Sequence, residues 1–135
     1  MMKGIHKMQN IVVIALGGMI GAVSRYVVVL FFQQFFNVVF PWGTLIVNIS
    51  GAFLIGAFVE MFSAILVSPA WRLFILVGCI GSYTTFSTYS VETVNLIRDG
   101  ELQFAIYNIL LNNILCISAV VLGIYGARLI SKTIL

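Results

Sequence analysis

Four stretches of this 135-residue chain, roughly Asn10 to Phe32, Trp42 to Leu66, Leu73 to Ile97 and Leu102 to Ala127, are apolar over the length needed to cross a membrane. One crossing asks for about 20 mostly apolar residues. A backbone in lipid must satisfy its own N–H and C=O groups, so each run is expected to be a helix. Polar and turn-forming residues mark the gaps: Gln33, Gln34 and Asn37, with Pro41 opening the second span; Ser68 and Pro69, with Trp71 and Arg72 as interfacial anchors; and Arg98-Asp99-Gly100-Glu101. None of these gaps holds a soluble domain. The expected architecture is one integral all-α membrane domain over residues 1–135, with four transmembrane helices.

Charge content agrees. Apolar residues make up 61% and charged residues 8%, whereas soluble domains carry about a quarter charged residues. The net charge of +3 comes from basic residues scattered along the chain. A nucleic-acid surface needs a basic patch, and none forms. Cys79 and Cys116 lie inside apolar stretches and read as small buried hydrophobes, not a disulfide. The start, Met1 to Gln9 followed by an apolar run, imitates a signal peptide; the run continues to spanning length, so no cleavage is expected. No acid–base pair, nucleophile or metal-ligand cluster points to an enzyme, and His6 is given no role.

Four spans place both termini on one side, with Lys3, Lys7, Arg72, Arg128 and Lys132, against Arg98 on the other. The positive-inside rule then puts the termini in the cytoplasm of a cell-membrane protein. Small residues crowd the first two spans: Gly17, Gly18, Gly21, Ala22, then Gly43, Gly51, Ala52, Gly56. Gly17-x-x-x-Gly21 is a close-packing signature. Four short helices do not easily enclose a polar path, so an oligomer is expected.

Polar groups inside spans are costly and raise the question of function. Arg25 lies well inside the first span, and a lone buried cation needs a partner or an aqueous cavity. Asn48 is midway along the second, with Thr44 one turn earlier and Glu60 near its far end, where a carboxylate snorkels to the interface. Asn108 and Asn112, four apart, share a helix face in the fourth span; Asn113 and Ser118 follow. Hydrogen bonding between helices is the ordinary use of such asparagines.

The third span is the most unusual. Gly78 and Gly81 precede hydroxyls on Ser82, Tyr83, Thr84, Thr85, Ser87, Thr88 and Tyr89, before Ser90 and Glu92. β-Branched Thr84-Thr85 after two glycines weakens the helix. Two structures fit. One is a continuous helix with hydroxyls bonded back to its own carbonyls. The other is a break, tolerated only where it lines a cavity or is buried in protein, whose freed carbonyls suit a hard cation such as Na⁺ and whose freed N–H groups suit an anion. Phe86 and Tyr89, three apart, share a helix face. Their positive ring edges suit a small anion, though core packing is the commoner use of such a pair.

In order along the chain, Gly17-Gly18-Met19-Ile20-Gly21-Ala22-Val23-Ser24-Arg25-Tyr26, then Gly43-Thr44-Leu45-Ile46-Val47-Asn48-Ile49-Ser50-Gly51-Ala52-Phe53 continuing to Gly56, then Gly78-x-x-Gly81-x-x-Thr84-Thr85-Phe86-Ser87-Thr88-Tyr89-Ser90-x-Glu92, resemble the Fluc (CrcB-type) fluoride channels. The resemblance covers nearly the whole chain. It implies a third helix broken mid-membrane and an antiparallel, dual-topology dimer with two fluoride pores. It further implies that Phe86 and Tyr89 line the pore with Thr44, Ser87, Thr88 and Glu92, that Asn48 donates a hydrogen bond there, and that Arg25 serves a vestibule. A structural Na⁺ at the dimer interface would sit on the main-chain carbonyls of Gly81 and Thr84. Two positions depart from the family: Tyr89 stands where a phenylalanine is usual, and the fourth span lacks the usual hydroxyl run after its tyrosine, matched by Tyr107, with Asn112 replacing part of that track. The charge bias of five against one leaves two assemblies open, a homodimer and a heterodimer with an oppositely inserted relative.

The expected function is passive export of cytoplasmic fluoride. The rival is a small coupled multidrug- or ion-exporting transporter, also a short four-span dimer. Such transporters centre on a carboxylate in the first span, which this chain lacks, leaving Glu60 or Glu92 for that role. A purely structural subunit is the third reading; it leaves Arg25 and the third-span hydroxyls without a purpose.

Overall fold

The computed structural model describes the backbone of residues 2–36 and 39–134, and the side chains of 7–36 and 39–132. Asn37, expected in the first gap, lies outside the described residues, as do the side chains of Lys3 and His6. The described residues are helical, with no strand among them. Helix α1 runs Met2–Phe35 and α2 Trp42–Ala64; α6, Leu102–Ile134, closes the chain. Helix α1 begins before the expected Asn10 and α6 passes the expected Ala127. Hydropathy marks where lipid would begin, whereas the hydrogen-bond ladder continues through polar residues. Helix α2 ends at Ala64, two residues before the expected Leu66, and the chain turns extended at Ile65 (φ −123°, ψ 150°). The Arg72 guanidinium donates to Phe62 O, meeting one of the carbonyls that a helix end leaves open.

The third expected span, 73–97, is not one helix. It comprises α3, Pro69–Arg72; a π-helical stretch, Leu73–Ile80; α4, Gly81–Tyr83; and α5, Phe86–Arg98. It starts earlier than expected because Pro69 sits at the first helical turn, where its missing N–H is no loss. Thr84 (φ −77°, ψ 157°) and Thr85 (φ −150°, ψ 119°) are extended, so the break falls between α4 and α5. Of the two structures the sequence leaves open, this is the broken one. Helix α5 ends in a Schellman turn: Glu101 N donates to Leu96 O at 2.8 Å and Gly100 N to Ile97 O at 3.2 Å. Gly100 takes the positive φ, 81°, that this turn requires.

Helix α2 packs along α6, while α1 packs against the π-helical stretch and α4. The second contact is as close as the Gly17-x-x-x-Gly21 motif predicts. A Cβ on Gly17 would collide with Phe74 O, and one on Gly21 with Cys79 O. The centre is polar as well as apolar: the largest fully buried side chains are Val47, Asn108 and Thr44. Outward, α1 exposes Ile11, Val23, Val27 and Phe31, and α6 exposes Ile106, Leu110, Ile117 and Leu122. Three helices, within Lys7–Phe35, Trp42–Ala64 and Leu102–Lys132, are long and apolar enough to cross a membrane. Buried amides inside and bare hydrocarbon outside are what a multi-pass membrane protein requires.

Candidate functional site

The break at Thr84-Thr85 organises the site. In an unbroken helix Thr85 N would donate to Gly81 O; here it donates to Asn48 Oδ1 of α2 at 2.9 Å. Asn48 Nδ2 returns a bond to Thr85 O at 3.1 Å. The amide thus pairs with an extended residue as a neighbouring β-strand would. The second Asn48 donor reaches Asn112 Oδ1 of α6 at 3.0 Å. Asn112 Nδ2 donates to Asn108 Oδ1 at 2.8 Å and Asn108 O at 3.1 Å, Asn108 Nδ2 donates to Thr93 Oγ1 at 2.9 Å, and Thr93 Oγ1 to Tyr89 O at 2.8 Å. One chain of hydrogen bonds therefore ties α2, α5 and α6 behind the break. The Thr85 side chain caps α5: Thr88 N donates to Thr85 Oγ1 at 3.1 Å.

In front of this chain lies a groove of about 350 Å³, open on one side, walled by Asn48, Thr84, Thr85, Phe86, Tyr89, Asn112 and Asn113. The Phe86 and Tyr89 rings meet edge to face, centroids 5.3 Å apart and planes at 61°. Phe86 is 77% exposed and Tyr89 only 8%. A second cavity of about 200 Å³, at the start of α2, is lined by Thr44, Glu92, Gln33, Trp42 and neighbouring phenylalanines. Thr44 Oγ1 donates to Glu92 Oε1 at 2.7 Å, while Glu92 Oε2 is buried with no hydrogen-bond partner among the described residues. Thr44 and Asn48 are one turn apart on α2, so the two cavities follow the same helix face.

The predicted residues do not all converge. Asn48, Thr84, Phe86 and Tyr89 share the groove. Thr44 and Glu92 share the second cavity. Ser87 and Thr88 line neither; their hydroxyls lie against Thr85 Oγ1 at 3.2 and 3.0 Å, in the cap of α5. Arg25 Nη1 donates to Thr84 O at 3.4 Å, bringing a cation to the break. Gly81 O loses its helical partner because Thr85 N is diverted to Asn48. Glu60 is drawn into an exposed ion pair with Arg128, at 2.9 and 3.3 Å. Sequence reasoning missed Thr85 as the partner of Asn48 and Thr93 as a relay. The signal for Thr85 was its place in the hydroxyl run; Thr93 gave none.

The family model described as CrcB-like protein, Camphor Resistance (CrcB), matches residues 12–124. Among curated proteins, the chain is 47% identical over 116 residues to "Fluoride-specific ion channel FluC" of Shewanella amazonensis, covering 86% of this chain and 94% of that one. It is 48% identical over 116 residues to the protein of the same name from Shewanella woodyi, at the same coverage. To that from Magnetococcus marinus it is 44% identical over 118 residues, covering 87% of this chain and 96% of the relative.

Proposed function

The chain belongs to the CrcB-like family, and from that premise we propose that it is a fluoride-selective channel, exporting cytoplasmic fluoride passively down its electrochemical gradient and so giving fluoride resistance. The observation that carries this reading is the edge-to-face pair of Phe86 and Tyr89 on the groove wall beside the clamped break. Fluoride is small and strongly hydrated. A pore must replace its water with donors and positive ring edges, yet bind weakly enough to release it. The groove offers aromatic edges and polar side chains with no fixed charge on its wall. Arg25, at Thr84 O, supplies positive potential without sitting in the path. Glu92 and Thr44 occupy the second cavity along the same face of α2, a continuation of the route.

Asn48 enters this mechanism differently from the expected pore donor. Its two donor hydrogens are engaged by Thr85 O and Asn112 Oδ1. Its part is to hold the break open, which keeps Phe86 at the head of α5 and turned into the groove.

The active assembly is a dimer of four-crossing subunits, the third crossing running through α3, the π-helical stretch, α4 and α5. Support comes from the open side of the groove, the exposed Phe86 and the wide apolar face of α1. The subunits pack antiparallel, either as a homodimer of dual topology or as a heterodimer with an oppositely inserted relative. A structural Na⁺ fits the chemistry at the break: carbonyl oxygens are hard donors, Gly81 O has lost its helical partner, and Thr84 O keeps a second lone pair beside Arg25. Two carbonyls make part of a shell, which a second subunit completes. Bound there, the ion would add positive charge near the path.

The test is fluoride efflux from liposomes containing only the purified protein, read with a fluoride electrode, with chloride as control and no pH gradient. Fast fluoride-selective efflux, abolished by Phe86→Ile, is expected. Absence of efflux from folded, reconstituted protein, alone and co-expressed with an oppositely inserted relative, rejects the channel. Efflux only with an imposed pH gradient favours the coupled transporter.

A further inference from the structure

An ion entering the groove needs hydrogen-bond donors, and nearly all of the side-chain donors there are already engaged. Asn48 gives its two amide hydrogens to Thr85 O and Asn112 Oδ1. Asn112 gives both of its own to Asn108. Asn113 donates to Ile109 O at 2.7 Å and to the Tyr89 hydroxyl oxygen at 3.4 Å. The Thr84 hydroxyl donates to Ile80 O at 3.3 Å and that of Thr85 to Thr88 Oγ1 at 3.0 Å. Among the described residues, the side-chain amide or hydroxyl hydrogen lining this groove that has no protein acceptor is the one on Tyr89. Its oxygen only accepts, from Asn113.

Resting on the fluoride-channel reading, we propose that the Tyr89 hydroxyl is a direct hydrogen-bond donor to the permeating fluoride, held for that role by Asn113. The Tyr89 ring is fixed, buried at 8% exposure and braced edge to face by Phe86. An N–H from Asn113 into the phenol oxygen leaves the O–H directed elsewhere and polarises it. A phenylalanine at this position would offer the ion a ring edge alone. An O–H aimed at the ion gives a shorter, stronger contact, and the gain is largest for the smallest halide. Tyr89 thereby sets how tightly this pore holds fluoride and how strongly it rejects chloride.

The experiment measures the fluoride concentration giving half-maximal efflux, and the fluoride-to-chloride ratio, in liposomes containing wild type, Tyr89→Phe, Asn113→Leu or the double variant. Tyr89→Phe should raise the half-maximal concentration about tenfold, the size of one charge-assisted hydrogen bond, and lower the ratio. Asn113→Leu keeps the phenol and should produce a smaller shift in the same direction. The double variant should match Tyr89→Phe. An unchanged half-maximal concentration in Tyr89→Phe overturns the proposal. A full Asn113→Leu shift added on top of Tyr89→Phe overturns the assignment of Asn113 as the residue that positions the phenol. Absence of fluoride efflux from wild type would reject the channel reading itself, a separate outcome.

Discussion

Asn48 and Thr85, 37 residues apart in sequence, exchange two hydrogen bonds, side-chain amide against main-chain N–H and C=O, at 2.9 and 3.1 Å. The pairing explains how extended backbone persists between two helices. The N–H that the break frees on Thr85 is answered by the Asn48 carbonyl oxygen, so the break need not revert to helix.

Asn48→Ala should therefore injure stability and flux together. It leaves Thr85 N and Asn112 Oδ1 without their Asn48 partner, and each unmet buried group costs about 1–3 kcal/mol. Partial relaxation back toward helix recovers some of this. A loss of about 2–4 kcal/mol is expected in a denaturant titration in detergent, with fluoride efflux down at least about tenfold. Efflux equal to wild type would show that the clamp is dispensable.

Thr85→Val separates the side chain from the backbone at the same residue. The two bonds with Asn48 use only main-chain atoms of Thr85, whereas its hydroxyl caps α5. The variant should lose about 1 kcal/mol, the usual worth of a helix cap, and keep its fluoride selectivity. Loss of selectivity would place the hydroxyl itself in the path.

Gly17→Ala tests the seam between α1 and the π-helical stretch. The added methyl would collide with Phe74 O, a backbone atom that cannot swing away. Destabilisation of about 1–3 kcal/mol is expected. Gly126→Ala, where the new methyl meets nothing within 4 Å, is the matched control and should be neutral or stabilising by up to about 1 kcal/mol.

Arg25→Gln keeps a donor toward Thr84 O and deletes the charge beside the break. Fluoride efflux at low ionic strength should fall several-fold while melting stays close to wild type. The difference should narrow as salt rises, because Arg25 is partly exposed and its field is screened. Equal rates at all salt concentrations would remove Arg25 from the mechanism.

The helical, multi-pass membrane character and several side chains of the candidate site were legible in the sequence, because both depend on local composition. Asn48, Arg25 and the pair Phe86 and Tyr89 were conspicuous as residues out of place in lipid. The break was foreseeable at Gly81 and Thr84-Thr85, but the partner that stabilises it, an amide on another helix, was not. Ser87 and Thr88 stand out in the motif as hydroxyls, but that their hydroxyls lie against Thr85 Oγ1 in the cap of α5 follows from the geometry of a helix start, which composition does not reveal. The exposure of Phe86 against the burial of Tyr89 was invisible for a related reason: two residues on one helix face look alike until the packing around each is known.

The clasp between Asn48 and Thr85 also implies an order of events. Transmembrane helices insert first and associate afterwards. Before it packs against α2, the segment holding the break has no Asn48 beside it, so its threonine amide has every incentive to remain in an uninterrupted helix. Only docking against α2 offers the alternative partner. Extended backbone at Thr84-Thr85 is then a product of assembly, because the pairing that holds it forms only once the segment meets α2.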